Sequence, residues 1–181
     1  MTDKMPPPRI INPPFVRFCQ HIVSGGQTGA DRAALDFAIE HDGYTHGGWA
    51  PRGREAEDGP IPLKYQLIEL TDGGYRRRTK LNVLDSDGTL IVNLGILGGG
   101  TLLTQGFAQK MGKPCLVVQL DFGITAEVTR DILTWINGNA IRTLNVAGPR
   151  ESKRPGIYSR TIGLFEALEI AWPSIDQAKS S

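Results

Sequence analysis

Residues 18–41 read Phe18-Cys-Gln-His-Ile-Val-Ser-Gly-Gly-Gln-Thr-Gly-Ala-Asp-Arg-Ala-Ala-Leu-Asp-Phe-Ala-Ile-Glu-His41, and the fold turns on how this stretch is parsed. Phe18 to Val23, apolar at Phe18, Cys19, Ile22 and Val23, has the length of a short strand. From Ala30 to His41, Ala33, Ala34, Phe37 and Ala38 fall on one face at helical spacing. Between them lies a glycine-rich turn, so the segment predicts strand, tight turn and helix, which is half of a βαβ unit. The pattern then recurs. Thr45 to Ala50 and Tyr65 to Leu70 suit strands, separated by a long irregular stretch from Pro51 to Pro62, and connections of that length are usually functional or mobile. Arg76 to Leu84 predicts a short helix feeding Gly88-Thr-Leu-Ile-Val-Asn-Leu94, a nearly continuous apolar run expected of a strand covered on both faces.

Further along, Thr101 to Met111 predicts a helix stopped at Gly112-Lys-Pro114, and Pro114 to Leu120 a strand. Thr125 to Asn137 is helical, with Val128, Ile132, Leu133 and Ile136 in register. Ile141 to Ala147 is strand-like, and Tyr158 to Trp172 closes the chain as a helix. Repeated strand, loop and helix units imply an α/β fold with a mainly parallel sheet and helices on both faces.

The 181 residues, 40% hydrophobic, are enough for one domain with a proper core. We expect a disordered proline-rich tail over 1–14, one domain over 15–175 and a flexible tail over 176–181. The formal net charge of +1 supplies no global field to recruit nucleic acid or an acidic membrane surface, so anion recognition has to be local. Cys19 and Cys115 have no Cys or His at metal-ligand spacing and read as buried free thiols in a reducing compartment. No stretch approaches a membrane span and the start lacks a signal peptide's apolar region. Those features predict a cytoplasmic protein.

In open parallel sheets, ligands bind beyond the carboxyl ends of strands, where helix-start amides face the crevice. Two glycine-rich loops hold that position. In the first, Gly25 and Gly26 are expected to take backbone angles that a Cβ resists, Gly29 to allow close approach, and Gln27 and Thr28 to offer polar side chains. Asp31 falls in the first helical turn, where it can cap the helix, reach a ligand hydroxyl or hold a metal-bound water. A plain strand-to-helix turn with a capping Asp is the structural alternative. The pattern is neither G-x-G-x-x-G nor a Walker loop, so no Lys is placed for a terminal phosphate. The second loop, Gly98, Gly99, Gly100 and Thr101, opens a helix after the buried strand, and the two could converge on one ligand.

Arg52 and Arg54 can grip a phosphate oxygen, or simply pair with Glu57 and Asp58 in a solvated loop. Arg76-Arg-Arg-Thr-Lys80 puts four cations in five residues, with Arg77 and Lys80 on one helical face, facing phosphate, a subunit or solvent. Towards the end of the chain, Asn145, Arg150 and Ser152 can read a ring edge and its phosphate, or belong to a connector shaped by Pro and Gly. Trp49 can stack on a flat ring, while Trp135 and Trp172 suit packing. Asp85 and Asp87 could touch magnesium, although a turn is the commoner use of such residues. His21, His41 and His46 lack paired metal spacing.

The run Ile22-Val-Ser-Gly-Gly-Gln-Thr-Gly-Ala-Asp-Arg-Ala-Ala-Leu-Asp36, with Gly47-Gly-Trp-Ala-Pro-Arg-Gly-Arg54, Gly98-Gly-Gly-Thr101 and Leu144-Asn-Val-Ala-Gly-Pro-Arg150, resembles the molybdenum cofactor carrier-like family. That family is a circularly permuted YpsA-like branch of the SLOG superfamily, and the resemblance runs from about Ile22 to Ala171. It implies a Rossmann-like three-layer sandwich, a homo-oligomer (dimer or tetramer), and a nucleotide-like ligand. Some members bind and protect molybdenum cofactor, which makes molybdoenzymes or cofactor-synthesis proteins the implied partners. A more distant likeness is to phosphoribohydrolases whose loop reads G-G-x-G-T-x-x-E. Here Thr104 stands at the Glu position, and a hydroxyl cannot act as a carboxylate base near neutral pH. The reading is therefore a carrier for a phosphorylated nucleotide-like or pterin ligand, molybdenum cofactor or molybdate first. The alternatives are a nucleotide hydrolase using Asp31 or Glu57, and single-stranded DNA binding through Arg76 to Lys80.

Overall fold

A computed structural model describes residues 17–177. Along the chain come β1 (His21–Val23), α1 (Ala30–Glu40), β2 (Thr45–Gly47), β3 (Trp49–Ala50), a 3-10 turn at Arg52–Arg54, β4 (Glu55–Ala56), β5 (Gly59–Pro60) and β6 (Ile68–Glu69). Then follow α2 (Tyr75–Leu84), β7 (Gly88–Asn93), α3 (Gly99–Lys110), β8 (Cys115–Gln119), α4 (Ala126–Gly138), β9 (Thr143–Ala147) and α5 (Ile157–Gln177). The expected tail at 1–14 lies outside the described residues, as do 178–181, and α5 runs to Gln177.

The central sheet has five strands in the order β2-β1-β9-β7-β8, all parallel. All six residues of β7 are buried, as its apolar run predicts for a strand between two neighbours and two helical layers. Leu90 and Val92 join the main core with Ile22, Leu144 and Val146, and α1, α4 and α5 cover that side with Phe37, Ile132, Leu133, Leu164 and Phe165. Ile91, the alternate residue, points the other way, where α3 packs on β7 and α2 on α3. The units β1-α1-β2 and β7-α3-β8 leave the sheet centre in opposite directions. With right-handed crossovers, that places their helices on opposite faces, giving the three layers of an α/β sandwich.

Three expectations about the middle of the chain change. Thr45 to Ala50 is not one strand: it breaks at Gly48, φ +126°, so β2 joins the main sheet while β3 pairs with β6, Trp49 opposite Ile68. Nor is 51–62 irregular, since it contains the 3-10 turn and the antiparallel β4–β5 hairpin. Arg54 holds this insert together, donating from Nε to the Ile61 carbonyl at 2.9 Å and from its terminal nitrogens to those of Leu67, Pro62 and Tyr65 at 3.0–3.1 Å. Four of the five guanidinium N–H groups are thus spent on closing the insert, so Arg54 is a structural clamp rather than the free phosphate grip expected of it. Leu35, Ala50, Ile61, Tyr65 and Leu67 form a second small core beneath the insert. Finally, Cys19 is buried but Cys115 is only half-buried, its thiol pushed by burial up to about 11. No described helix is long and apolar enough to cross a membrane.

Candidate functional site

Beyond the carboxyl ends of β1, β9 and β7, where the chain departs in opposite directions, a crevice is the geometric consequence. A cavity of about 480 Å³ occupies it. The first turn of α3, the segment after β9, the start of α1 and the α2 residues Tyr75, Arg78 and Thr79 form its walls. Of the residues singled out from sequence, it brings together Gln27, Asp31, Gly98, Gly99, Gly100, Thr101 and Arg150. Gly25, Gly26, Thr28 and Gly29 do not line it.

Those four form the scaffold behind the cavity. Gly26 and Gly29 carry positive φ, and Gly25 and Gly29 are both points of close approach: a Cβ would lie 1.9 Å from Arg78 Nη1 at Gly25 and 2.5 Å from the Pro149 carbonyl oxygen at Gly29. Gly29 thus allows the close approach expected of it, whereas Gly25, expected to need a special backbone angle, is instead a second point of close approach. The Thr28 hydroxyl donates to Glu57 Oε1 and accepts from the Glu151 N–H at 3.3 Å. Glu57 also accepts from Ser152, through its hydroxyl and, at 3.2 Å, its N–H. One carboxylate therefore latches the hairpin to the loops after β1 and β9. Asp58 pairs with Arg32; neither acid pairs with Arg52 or Arg54.

Other candidates lie elsewhere. Asn145 is buried inside β9 and donates to Thr89 Oγ1 at 3.1 Å. Arg52 is exposed in a separate depression with Glu69, Gly73 and Gly74. Trp49 donates from Nε1 to Asp85 Oδ2 at 2.7 Å, so it packs against α2 rather than facing the cavity. Asp87 Oδ2 accepts the Arg142 and Thr143 N–H groups at 3.0 and 2.7 Å, a turn-closing role. Thr101 donates to the Gly98 carbonyl at 2.5 Å and Thr104, a cavity residue, to that of Gly100 at 2.8 Å.

The cavity is cationic in a chain of almost no net charge. Arg78, Arg150, Lys153 and Arg154 face it against the single carboxylate of Asp31. Asp31 is 3% exposed, and burial pushes its carboxyl above the usual range against the pull of Arg78 and the amides of Gln27, Gly25 and Gly148. Its Oδ2 accepts from Arg78 Nη1 and the Gln27 N–H, both at 3.4 Å. The guanidiniums of Arg78 and Arg150 each lie within 6 Å of the Tyr75 ring, at 5.9 and 5.3 Å, within cation–π range. Gly98 caps α3 with no side-chain hydrogen bond, leaving the positive end of that helix open.

Arg78, Lys153 and Arg154 are the cavity cations that the sequence reading did not single out as site residues. The basic run was the signal for Arg78, but Arg77 and Lys80, the pair that helical spacing favoured, line an outer groove with Arg76, Phe107 and Lys110. Arg154 clamps the entry to α3, donating from Nε to the Leu94 carbonyl at 2.7 Å.

The Glu57 latch sets a pH limit on this architecture. Burial alone would raise its carboxyl, but the Ser152 and Thr28 hydroxyls, the Ser152 N–H and the charge of Arg150 outweigh it and hold the carboxyl below its ordinary 4.5. With a lowered folded-state value, the latch is intact above pH 4.5 and is lost as pH falls through that lower value. Faster hydrogen exchange at the Ser152 amide is expected in that acid window, beyond the intrinsic pH effect. Glu57→Gln should show the fast exchange already at neutral pH; unchanged protection in the variant would count against the latch.

A family profile for circularly permutated YpsA SLOG proteins matches residues 22–168. No curated protein matches the chain. Among solved structures it is similar to the crystal structure of a "Putative molybdenum carrier protein" from Syntrophus aciditrophicus SB, with 50% identity and a TM-score of 0.80 over 84% of this chain and 96% of that one.

Proposed function

Because the chain belongs to the circularly permutated YpsA SLOG family, we propose that its cavity carries a small phosphorylated ligand, nucleotide-like or pterin, with molybdenum cofactor or molybdate the first candidate. The observation that carries this reading is the charge of the lining, four cations to one carboxylate, set against the uncapped start of α3. A phosphate there meets Arg150, Lys153 and Arg154 together with the helix-start amides. Each hydrogen bond to a charged group contributes about 1.5–3 kcal/mol. A few such bonds supply the roughly 8 kcal/mol of micromolar binding.

The named relative supports the molybdenum part. The lining has no thiol or imidazole, so molybdenum would be recognised through oxo groups facing guanidinium and amide donors rather than through direct ligation by the protein. A carrier needs only to hold and release, and Thr104 in the α3 wall supplies no carboxylate base. In this reading the unit over 15–175 is one cytoplasmic domain, works as a homo-oligomer, and passes its cargo to molybdoenzymes or cofactor-synthesis proteins.

The test is titration of the purified protein with molybdenum cofactor, molybdate, AMP, NAD and ADP-ribose. Saturable binding to at least one is expected, weakened at least roughly ten-fold by Arg150→Ala, the equivalent of one charged hydrogen bond. Absence of binding to all five sinks the proposal. Steady turnover of a nucleotide, lost in Asp31→Asn, would replace the carrier by a hydrolase.

A further inference from the structure

Gln27 is 6% exposed, and its amide orientation is fixed by its neighbours. Oε1 accepts the backbone N–H groups of Thr28 and Glu57, each at 3.0 Å, so the other end of the amide has to be the Nε2 donor. That donor has no partner among the described residues, although Gln27 lines the cavity. Arg78, reaching in from α2, repeats the situation. Its Nη1 and the Gln27 N–H both point at Asp31 Oδ2, at 3.4 Å, while its Nε is buried without a partner. Two elements distant in sequence thus bring unspent donors to the same corner of one cavity. The absence of a Cβ at Gly25 lets the guanidinium lie there.

Asp31 does not meet this demand, because its charge is already shared among Arg78 and the amides of Gln27, Gly25 and Gly148. An unmet buried donor is costly, and the cost is removed when an acceptor arrives. A neutral carbonyl could satisfy Gln27, but a guanidinium favours an anionic oxygen. The other donors, the start of α3 with Lys153 and Arg154, stand on a different wall. A single phosphate fills only a small part of the roughly 480 Å³ between them.

We propose that the ligand carries two anionic groups, the second of them held between Gln27 Nε2 and Arg78 Nε. This rests on the carrier reading above, in which the first group sits at the start of α3. Two sources share the chemistry: a diphosphate chain, or an organic monophosphate accompanied by a separate oxyanion such as molybdate.

Gln27→Glu is the discriminating variant, since it keeps one oxygen for the Thr28 and Glu57 amides and turns the free donor into an acceptor. Calorimetry with AMP, ADP, and molybdate added to AMP-saturated protein separates the sources. A diphosphate ligand predicts ADP at least ten-fold tighter than AMP, and a separate oxyanion predicts molybdate binding beside AMP. In either case Gln27→Glu should abolish the gain, measured as the ADP-to-AMP affinity ratio or as molybdate binding beside AMP. Gly25→Ala, which displaces Arg78 and leaves Gln27 intact, should do the same and serves if the first variant fails to fold. No gain in the wild type, or a gain that survives both variants, overturns the proposal. If AMP, ADP and molybdate all fail to bind the wild type, the carrier reading falls and takes this inference with it.

Discussion

Gly29→Ala is expected to cost about 2–4 kcal/mol of stability and to abolish ligand binding in the cavity. Gly29 sits at the start of α1 with φ +83° and ψ −131°, a region that residues bearing a Cβ essentially never adopt. The added atom would also stand 2.5 Å from the Pro149 carbonyl oxygen and 2.9 Å from the Glu151 nitrogen. Both are backbone atoms, so no rotamer change relieves the contact, and the loop after β9 has to retreat. That loop carries Arg150, Lys153 and Arg154, three of the four cavity cations, and its Ser152 end of the Glu57 latch moves with it. Urea unfolding reads the first effect and ligand titration the second; wild-type affinity in this variant would refute the assignment of that loop to the site. Gly98→Ala is the control. Its φ is −163° and a Cβ there meets nothing within 4 Å, so stability should hold within about 1 kcal/mol.

That contrast separates two loops which look alike as sequence. Glycines of the first loop are required by the protein's own packing, by Arg78 at Gly25 and by the β9–α5 loop at Gly29. Those of the second face open space at the start of α3, where only a ligand would approach. The two loops therefore serve one site differently: the first shapes it, and the second presents helix amides to it.

Where the sequence was legible, a single physical signal dominated. The nearly continuous apolar run of β7 could be satisfied only by burial on both faces, and the stripe of Val128, Ile132, Leu133 and Ile136 only by a helix against the sheet. The parallel α/β sandwich followed from those. The site was less legible because its residues are chosen by rotation and by distant partners. α2 has hardly any apolar stripe, and its phase is set by buried Thr79, Asn82 and Val83. Asn82 makes two hydrogen bonds to the Trp49 backbone, at 2.7 and 3.3 Å, and no local pattern announces that partner. With the phase hidden, nothing distinguished Arg78 from Arg76 or Arg77. Arg52 and Arg54 pose the same problem. Their positions differ by two residues, yet one is solvent-exposed and the other is consumed by four carbonyls of an insert whose closure was invisible in a stretch that looked irregular. Asn145 shows the converse case, a polar strand residue that is held in the sheet by Thr89 instead of reaching the cavity.

Phe37→Ala is expected to cost about 3–5 kcal/mol, the usual range for deleting a buried aromatic ring, and to lower the melting temperature by on the order of 10 °C. Phe37 is fully buried. It meets the rings of Phe18, Tyr44 and Phe165 at centroid distances of 6.4, 5.3 and 5.2 Å, and stacks on His41 at 4.0 Å. These contacts anchor α1 to α5 and to the edge of the sheet. The cavity depends on the other end of the same helix, where Asp31 receives Arg78 and the loop amides. Asp36, which accepts from Lys64 Nζ at 2.6 Å and the Tyr158 hydroxyl at 2.9 Å, keeps tying the helix to the insert and to α5 when the ring is gone. Binding per folded molecule, measured well below the melting transition, should therefore stay within about three-fold of wild type, a difference of under about 1 kcal/mol. Gly29→Ala removes binding at the start of α1, whereas Phe37→Ala removes stability eight residues later. If Phe37→Ala lost binding in proportion to stability, the start of α1 and its aromatic anchor would have to be one cooperative unit, and the separation of scaffold from site argued for the first loop would be wrong.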